Sequence, residues 1–596
     1  MSMSVTAEVV RTVCAKIHAE TGHEAHRVDS KWRLPSWNGL LSNDSPVINV
    51  GRPSCCFQPR DRDDVVAACK VAARHGLKIS ARGSGHHYGG VSLREEALLL
   101  DLSLLRSIQV DPATRTARVG PAATARQLRA ALAPLGLHFP LPHLSDVGLS
   151  GYLLGGGNGW GVRQWGAAAD NLKEVEVVLL AAAAGPTDDN GGGGIGGDGG
   201  GGGGGAEAGC RLVRVSSETD PELFWGLRGG GFFLGVVTEF VLQLHPVPPR
   251  LPLIAATYPL SLLPMLCEFF REFHSANPAC VEASLAIVGV PEGSDGASGG
   301  DAGGGGDAGG GSVTDSSGGG GGAVPAVVVL ACHAFAEPGS DEVETSYGKL
   351  RALLPGSRLS LQEGPVPYEE ALSVLDASWS FPGLCMYGHG AFVPVSSLHS
   401  GRGSDADADG ADADTDVGVV AALAAAAGRM TSRRSILLVC PSAPARPGCS
   451  IAGGDAADAP GAGGVGGGDV GGVGGGGSDG AEGCSVPAPA SAAAAAAAVG
   501  PGALGFRDTF FLGVYGMWSS DLEAGAGAEA VDAAVHVAWV RSCAAAVEPY
   551  TLGLYVNEVM HDDPGQLRRS YEAASYTRLQ ELKRRVDPRG LLRALP

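Results

Sequence analysis

The number and placement of glycines constrain this chain more than any other feature. Of its 596 residues, 94 are glycine, well above the usual share of about 7%. They concentrate in four tracts, at about 184–210, 291–324, 401–416 and 450–503, and the last closes on a polyalanine run, Ala492–Ala498. The tracts lack large apolar side chains, so they cannot bury enough surface to offset the entropy of ordering them. They read as disordered loops inserted into a folded scaffold. Strings such as GGIGGDGG therefore imitate nucleotide motifs by composition alone. What remains is about 465 residues of ordinary sequence, enough for two or more domains with cores of their own.

Hydrophobic residues make up 44% and charged residues 18%, the balance of a globular protein. The formal net charge of −20, with no long basic run, argues against nucleic acid and anionic membrane surfaces as partners. No apolar run approaches the ~18 residues of a membrane span. The start, MSMSVTAEVVRTVCAKIHAE, reads as an amphipathic helix and not a secretion signal; Glu8 and Glu20 weigh against a transit peptide. The 13 cysteines are scattered with no C-x-x-C pair, which removes zinc spacing and any metal site of that kind. Reduced thiols and no signal give a cytoplasmic expectation.

Outside the tracts, helical and strand patterns alternate. PRDRDDVVAACKVAARHG reads as a helix, LKISARG as a strand, and LLLDLSLL and SIQVDPATRTARVG as strands joined by a turn. TARQLRAALAPLG is a helix stopping near Gly136, and KEVEVVLLAAA a strand. DPELFWGLRGGG is a helix opened by Asp220 with Pro221 first; GVVTEFVLQLHPV is a strand. Longer strands and helices follow, including PLSLLPMLCEFFREFHSANP and VDAAVHVAWVRSCAAAV, and SYTRLQELKRRVDP ends a last helix before Pro588. The fold class is α+β.

Two glycine clusters lie inside this patterned sequence: ARGSGHHYGG, from Ala81, and VGLSGYLLGGGNGWG, from Val147. Such clusters let backbone approach a ligand and present N–H groups to phosphate oxygens, or simply form tight turns. GGGNGWG is not set between a first strand and its helix in a βαβ unit with an acidic residue ~20 positions on, so a nicotinamide Rossmann domain is not indicated. His86 and His87 sit in a turn where histidine is unusual.

Taken in order, ARGSGHHYGG, VGLSGYLLGGGNGW, DPELFWGLRGGG, FLGVVTEFVLQLHP, YVNEVMHDD and YTRLQELKRRVDP resemble the berberine bridge enzyme-like flavoproteins, of the vanillyl-alcohol-oxidase or PCMH-type FAD-binding fold. The resemblance runs from about Trp37 to Pro588 outside the tracts. It implies an FAD-binding domain at 1–250, a substrate domain with an antiparallel sheet flanked by helices at 251–545, and a C-terminal segment, 546–596, returning to the FAD domain. It implies a bond from His86, four residues after Arg82, to the flavin 8α-methyl. Gly83, Ser84, Gly85 and His87 would line pyrophosphate and ring. Gly155, Gly156 and Gly157 would let backbone approach the cofactor, with Val147, Gly148, Gly151 and Gly159 in the same set and Val237 near the adenine. Some relatives carry a second, cysteinyl link; that position is Leu144 here, so a single histidyl link is expected. His143 beside it is expected near the flavin.

The implied reaction is hydride transfer from a substrate C–H to flavin N5, with a base taking the neighbouring O–H or N–H proton. The resemblance points to Tyr555 as base, with Asn557 two residues on and on the same face of a strand. A phenol of pKa near 10 needs a positive neighbour or strong hydrogen bonds for that role. In CMYGHGAFV, Tyr387 and His389 would share a strand face and assist. Expected partners are a small molecule, an alcohol or a sugar, and molecular oxygen or another electron acceptor. The rivals are an oxygen-unreactive dehydrogenase, a flavin-binding protein that has lost catalysis, and a plain nucleotide-binding module. Ser84 in place of Gly, His87 in place of Ser or Asp, and the close LLRALP in place of an asparagine-rich end depart from the family pattern.

Overall fold

The computed structural model describes residues 6–28, 51–87, 89–180, 209–290, 324–353, 356–376, 384–398, 418–444, 502–519, 533–560, 564–593 and 595. The four glycine-rich tracts, except Gly209, Cys210, Val324, Gly502 and Ala503, lie outside the described residues, as do Trp37 and the polyalanine run.

Three sheets carry the chain. The first holds β1 (Ala25–Arg27), β2 (Cys55–Phe57), β3 (Lys78–Arg82) and β4 (Ala97–Asp101) in the order β1-β2-β4-β3. β2, β4 and β3 are parallel. Parallel strands are covered on both faces, so they read as continuous apolar runs, and every residue of β4 is buried. The crossover helix Arg62–Arg74 is opened by Asp61, whose side chain accepts from Asp64 N. The second sheet is antiparallel, with β5 (Ile108–Asp111), β6 (Thr116–Val119), β8 (Leu172–Leu179), β9 (Arg211–Val215) and β10 (Val236–Gln243) in the order β5-β6-β10-β8-β9. Between them β7 (Leu137–His138) pairs with β11 (His245–Pro246).

The third sheet has eight strands, all antiparallel to their neighbours: β12 (Arg250–Pro259), β13 (Val281–Gly289), β14 (Ala326–Ala334), β15 (Ser360–Pro367), β16 (Leu384–Pro394), β17 (Ile436–Pro441), β18 (Thr509–Ser519) and β19 (Gly553–Leu554). Their order is β15-β12-β14-β13-β17-β18-β16-β19. Helices Leu263–Ala276, Gly418–Ala427 and Ala533–Val547 supply buried faces to the core of this sheet. The last helix, Ala573–Val586, joins the core of the second sheet, and Leu591 and Leu592 join that of the first.

Local sequence rules account for most boundaries. Asp220 caps Pro221–Leu227 through Leu223 N. Thr124 and Gln127 form a capping box for Ala125–Leu132, and Gly136 ends the following turn in the left-handed region. Two expectations need correction. The apolar run LLLDLSLL ends as a strand at Asp101, because the Asp101 side chain accepts from Ser103 N and turns Leu102–Leu104 into a 3₁₀ helix. Tyr555 and Asn557 are not on a strand: β19 ends at Leu554, and Glu558 N donates to Tyr555 O at 2.8 Å, closing a turn.

Candidate active site

One cleft runs from the carboxyl ends of β3 and β4 to the face of the third sheet. It encloses about 1740 Å³, its open mouth included. Crevices beyond the carboxyl ends of parallel strands are where open α/β sheets bind ligands. Its walls include Arg82, Gly83, Ser84, Gly85, His86, His87, Val147, Gly148, Gly151, Val237, Tyr555 and Asn557. Segments more than 450 residues apart in sequence therefore meet in one cavity.

Arg82 and Asp101 end neighbouring strands and form a buried pair at 3.9 Å. The loop leaving β3 is pressed against the helix Leu149–Leu154. A Cβ on Gly83 would lie 2.5 Å from Ser150 Oγ, and one on Gly148 would lie 2.2 Å from Ser84 Oγ. Gly85 holds φ +76, a conformation side chains disfavour. Glycine at 83 and 85 makes room for Ser150 and for the Arg82 guanidinium, which a Cβ at either position would strike. Within the loop, His86 Nδ1 is buried and has no hydrogen-bond partner among the described residues. Burial pulls the His86 pKa down to about 4, with Asp146 opposing. His86 is therefore a neutral imidazole at pH 7. His87 differs: its Nδ1 accepts from Gly89 N at 3.0 Å, and its ring meets Phe232 edge-on at 6.1 Å.

Leu144 lines the cleft, and none of the described lining residues is a cysteine. His143 lines it too, its ring edge-on to Trp160 at 4.5 Å; burial lowers its pKa to about 3. Gly155, Gly156, Gly157 and Gly159 are not among its described lining residues, though their neighbours Leu154 and Asn158 are. They admit other parts of the chain. A Cβ on Gly155 would collide with the Asn557 amide at 2.1 Å, and Gly156, Gly157 and Gly159 are closed by Leu504, Ala168 with Tyr152, and Leu141 O.

The titratable groups at the other end differ from those expected. Tyr387 and His389 share a face of β16, but it is the one turned away from the cleft. Tyr387 Oη accepts from Arg541 Nε at 3.2 Å, on helix Ala533–Val547. His389 is 7% exposed, with Glu548 and Arg569 as its charged neighbours. By the two-residue alternation of a strand, Met386 and Gly390 take the cleft side. Gly390 leaves room for Glu558, whose Oε2 a Cβ there would meet at 2.7 Å. Tyr555 N also donates to Gly390 O at 2.9 Å.

Glu558 and Tyr515 therefore enter the site unannounced. Both line the cleft, and Tyr515 Oη donates to Glu558 Oε2 at 2.5 Å. Burial pushes the Glu558 carboxyl up to about 7, with the Tyr515 hydrogen bond opposing. Tyr555 Oη accepts from Asn158 N at 3.2 Å and Asn557 Nδ2 at 3.1 Å. Despite these donors its pKa rises, through burial first and then the Glu558 charge. Burial thus brings the Glu558 carboxyl towards neutrality and takes the Tyr555 phenol further from it. The signal was the glutamate in YVNEV, one residue past the asparagine.

Residues 53–183 match the family model "FAD binding domain", and many of the cleft-lining residues come from this stretch. A 203-residue stretch is 30% identical to (R)-6-hydroxynicotine oxidase of Paenarthrobacter nicotinovorans, covering 34% of this chain and 38% of that protein. Another of 246 residues is 28% identical to berberine bridge enzyme-like 23 of Arabidopsis thaliana, covering 40% and 41%. The chain spans about half, or less, of the length of the curated relatives it matches. In three dimensions it resembles the crystal structure of 6-hydroxy-D-nicotine oxidase from Arthrobacter nicotinovorans, with TM-score 0.62, 19% identity and 96% of both chains covered. The curated proteins it is similar to include FAD-linked oxidoreductases and berberine bridge enzyme-like proteins, and its fold is that of the solved 6-hydroxy-D-nicotine oxidase and berberine bridge enzyme-like structures. No helix among the described residues is long and apolar enough to cross a membrane.

Proposed function

We propose that this chain binds FAD through one covalent bond from His86 and oxidises a C–H bond bearing a hydroxyl or amine. The observation that carries this reading is one cleft holding both a buried His86, whose Nδ1 meets no partner among the described residues, and a carboxyl–phenol pair, Glu558 and Tyr515. Bound FAD supplies a two-electron acceptor for hydride. The chain supplies the rest. Gly83, Gly85 and Gly148 give the backbone access a dinucleotide needs, and His86 offers a neutral ring nitrogen as nucleophile. Leu144 leaves no thiol for a second link. Glu558, as carboxylate, takes the substrate O–H or N–H proton while Tyr515 Oη holds its Oε2 in place. Asn158 and Asn557 fix the Tyr555 ring beside it. Leu375, Met386, Leu438 and Phe511 wall the same end. These apolar walls favour a compact alcohol or amine over a sugar, whose hydroxyls would need many more polar partners.

Acid precipitation of the purified protein tests the bond: flavin stays with the pellet, and His86→Ala releases it. Acid-stable flavin in His86→Ala refutes the assignment. A panel of apolar alcohols, amines and sugars, followed by flavin bleaching without air, tests the reaction; no bleaching by any of them refutes the oxidoreductase reading. Peroxide formed in air separates oxygen from another acceptor.

A further inference from the structure

The closing stretch LLRALP puts two residues into the cleft wall, Leu592 and Arg593. Asp587 sets them there. Its buried carboxylate accepts from Leu591 N and Leu592 N, each at 2.9 Å, and from Lys583 Nζ at 2.6 Å. Lys583 in turn donates to Phe233 O at 2.7 Å. Leu591 O accepts from Ile79 N at 2.9 Å and from Arg94 Nη1 at 2.7 Å. The tail therefore lies along the outer edge of β3, the strand that delivers the Arg82–His87 loop.

Arg593 ends beside that loop. Its Nη1 donates to Val91 O at 3.3 Å, which engages one of five N–H groups. Arg94 lines the same cleft and is close enough to Arg593 to oppose its charge. The carboxylate near Arg94 is Asp587, already occupied by Lys583 and two backbone amides. No carboxylate among the described residues pairs with Arg593. A chain of net charge −20 thus keeps an uncompensated cation beside a glycine-lined loop. A guanidinium with donors to spare beside a glycine-containing loop of the same cleft fits a phosphate or diphosphate.

We propose that Arg593, set in place by Asp587, binds the pyrophosphate of FAD, making the C-terminal tail a wall of the cofactor site. This rests on the flavin reading above. The test titrates FAD and riboflavin into deflavinated His86→Ala protein, where flavin exchanges freely, with and without Arg593→Ala. The expected result is FAD binding weakened about ten- to hundredfold, the loss of one charge-assisted hydrogen bond. Riboflavin, which has no phosphate, binds as before, and Arg593→Lys recovers part of the FAD affinity. Thermal melting checks the fold. If a variant fails it, Arg593→Gln in the His86 chain gives a second readout, the FAD concentration that half-saturates acid-stable incorporation. Unchanged FAD affinity, or equal weakening for riboflavin, overturns the proposal while the flavin reading stands. Absence of FAD binding in the parent overturns both.

Discussion

Replacing Glu558 by Gln removes a cleft carboxyl that burial pushes up to about 7 while keeping its size. Above its pKa Glu558 is a carboxylate and can accept a proton; below it the base is lost. Flavin reduction by a substrate from the panel should therefore rise with pH and level off above neutrality. Between pH 7 and pH 6 the carboxylate fraction falls about fivefold, and the rate should fall with it. Positioned bases contribute about 10²–10⁴-fold, so Glu558→Gln should slow reduction by that order and erase the limb near pH 7. Tyr515→Phe deletes the bond that favours the charged form. The same limb should then move up by about one pH unit, because a charge-assisted hydrogen bond is worth about one pKa unit or more. Stopped-flow bleaching without oxygen isolates this half-reaction. If Glu558→Gln keeps its rate within about threefold and retains the limb, Glu558 is not the base. If Tyr555→Phe abolishes the limb with FAD loading intact, the base is Tyr555 after all.

Gly148→Ala should lower FAD loading, because the new Cβ falls 2.2 Å from Ser84 Oγ. Adding Ser84→Gly should restore it, and flavin-to-protein absorbance ratios measure both. Arg163 is fully buried and donates to the carbonyls of His274, Asn277, Pro278 and Val281. Glu282 is its carboxylate neighbour. Arg163→Ala should destabilise the protein by about 3–5 kcal/mol, read from urea unfolding.

The sequence spoke most clearly where a rule acts over a few residues. Asp220 and Pro221 mark their helix start, and Gly136 its neighbour's end, because caps satisfy backbone groups within one turn. It spoke less clearly where the outcome depends on what lies across a gap. Strand alternation puts Tyr387 and His389 together, yet only helix Ala533–Val547, with Arg541, makes their face the covered one. Glycines are ambiguous in the same way. Gly83 and Gly148 admit a loop edge that opens on the cleft, whereas Gly155 admits the side chain of Asn557, 402 positions later. Glu558 became visible only once the turn at Tyr555 and the gap at Gly390 were known.

The strand registers bear on the long glycine tracts. Leu179 pairs with Arg211, Gly289 with Ala326 and Pro441 with Phe510. Three of the four tracts thus join adjacent antiparallel strands, where a two-residue turn would serve. The ladder holds their ends side by side whatever runs between them. These junctions are natural points for opening the chain: a protease nick or relocated termini there would leave both flanking strands hydrogen-bonded to each other. The chain's length can then change without changing the register that builds its cleft.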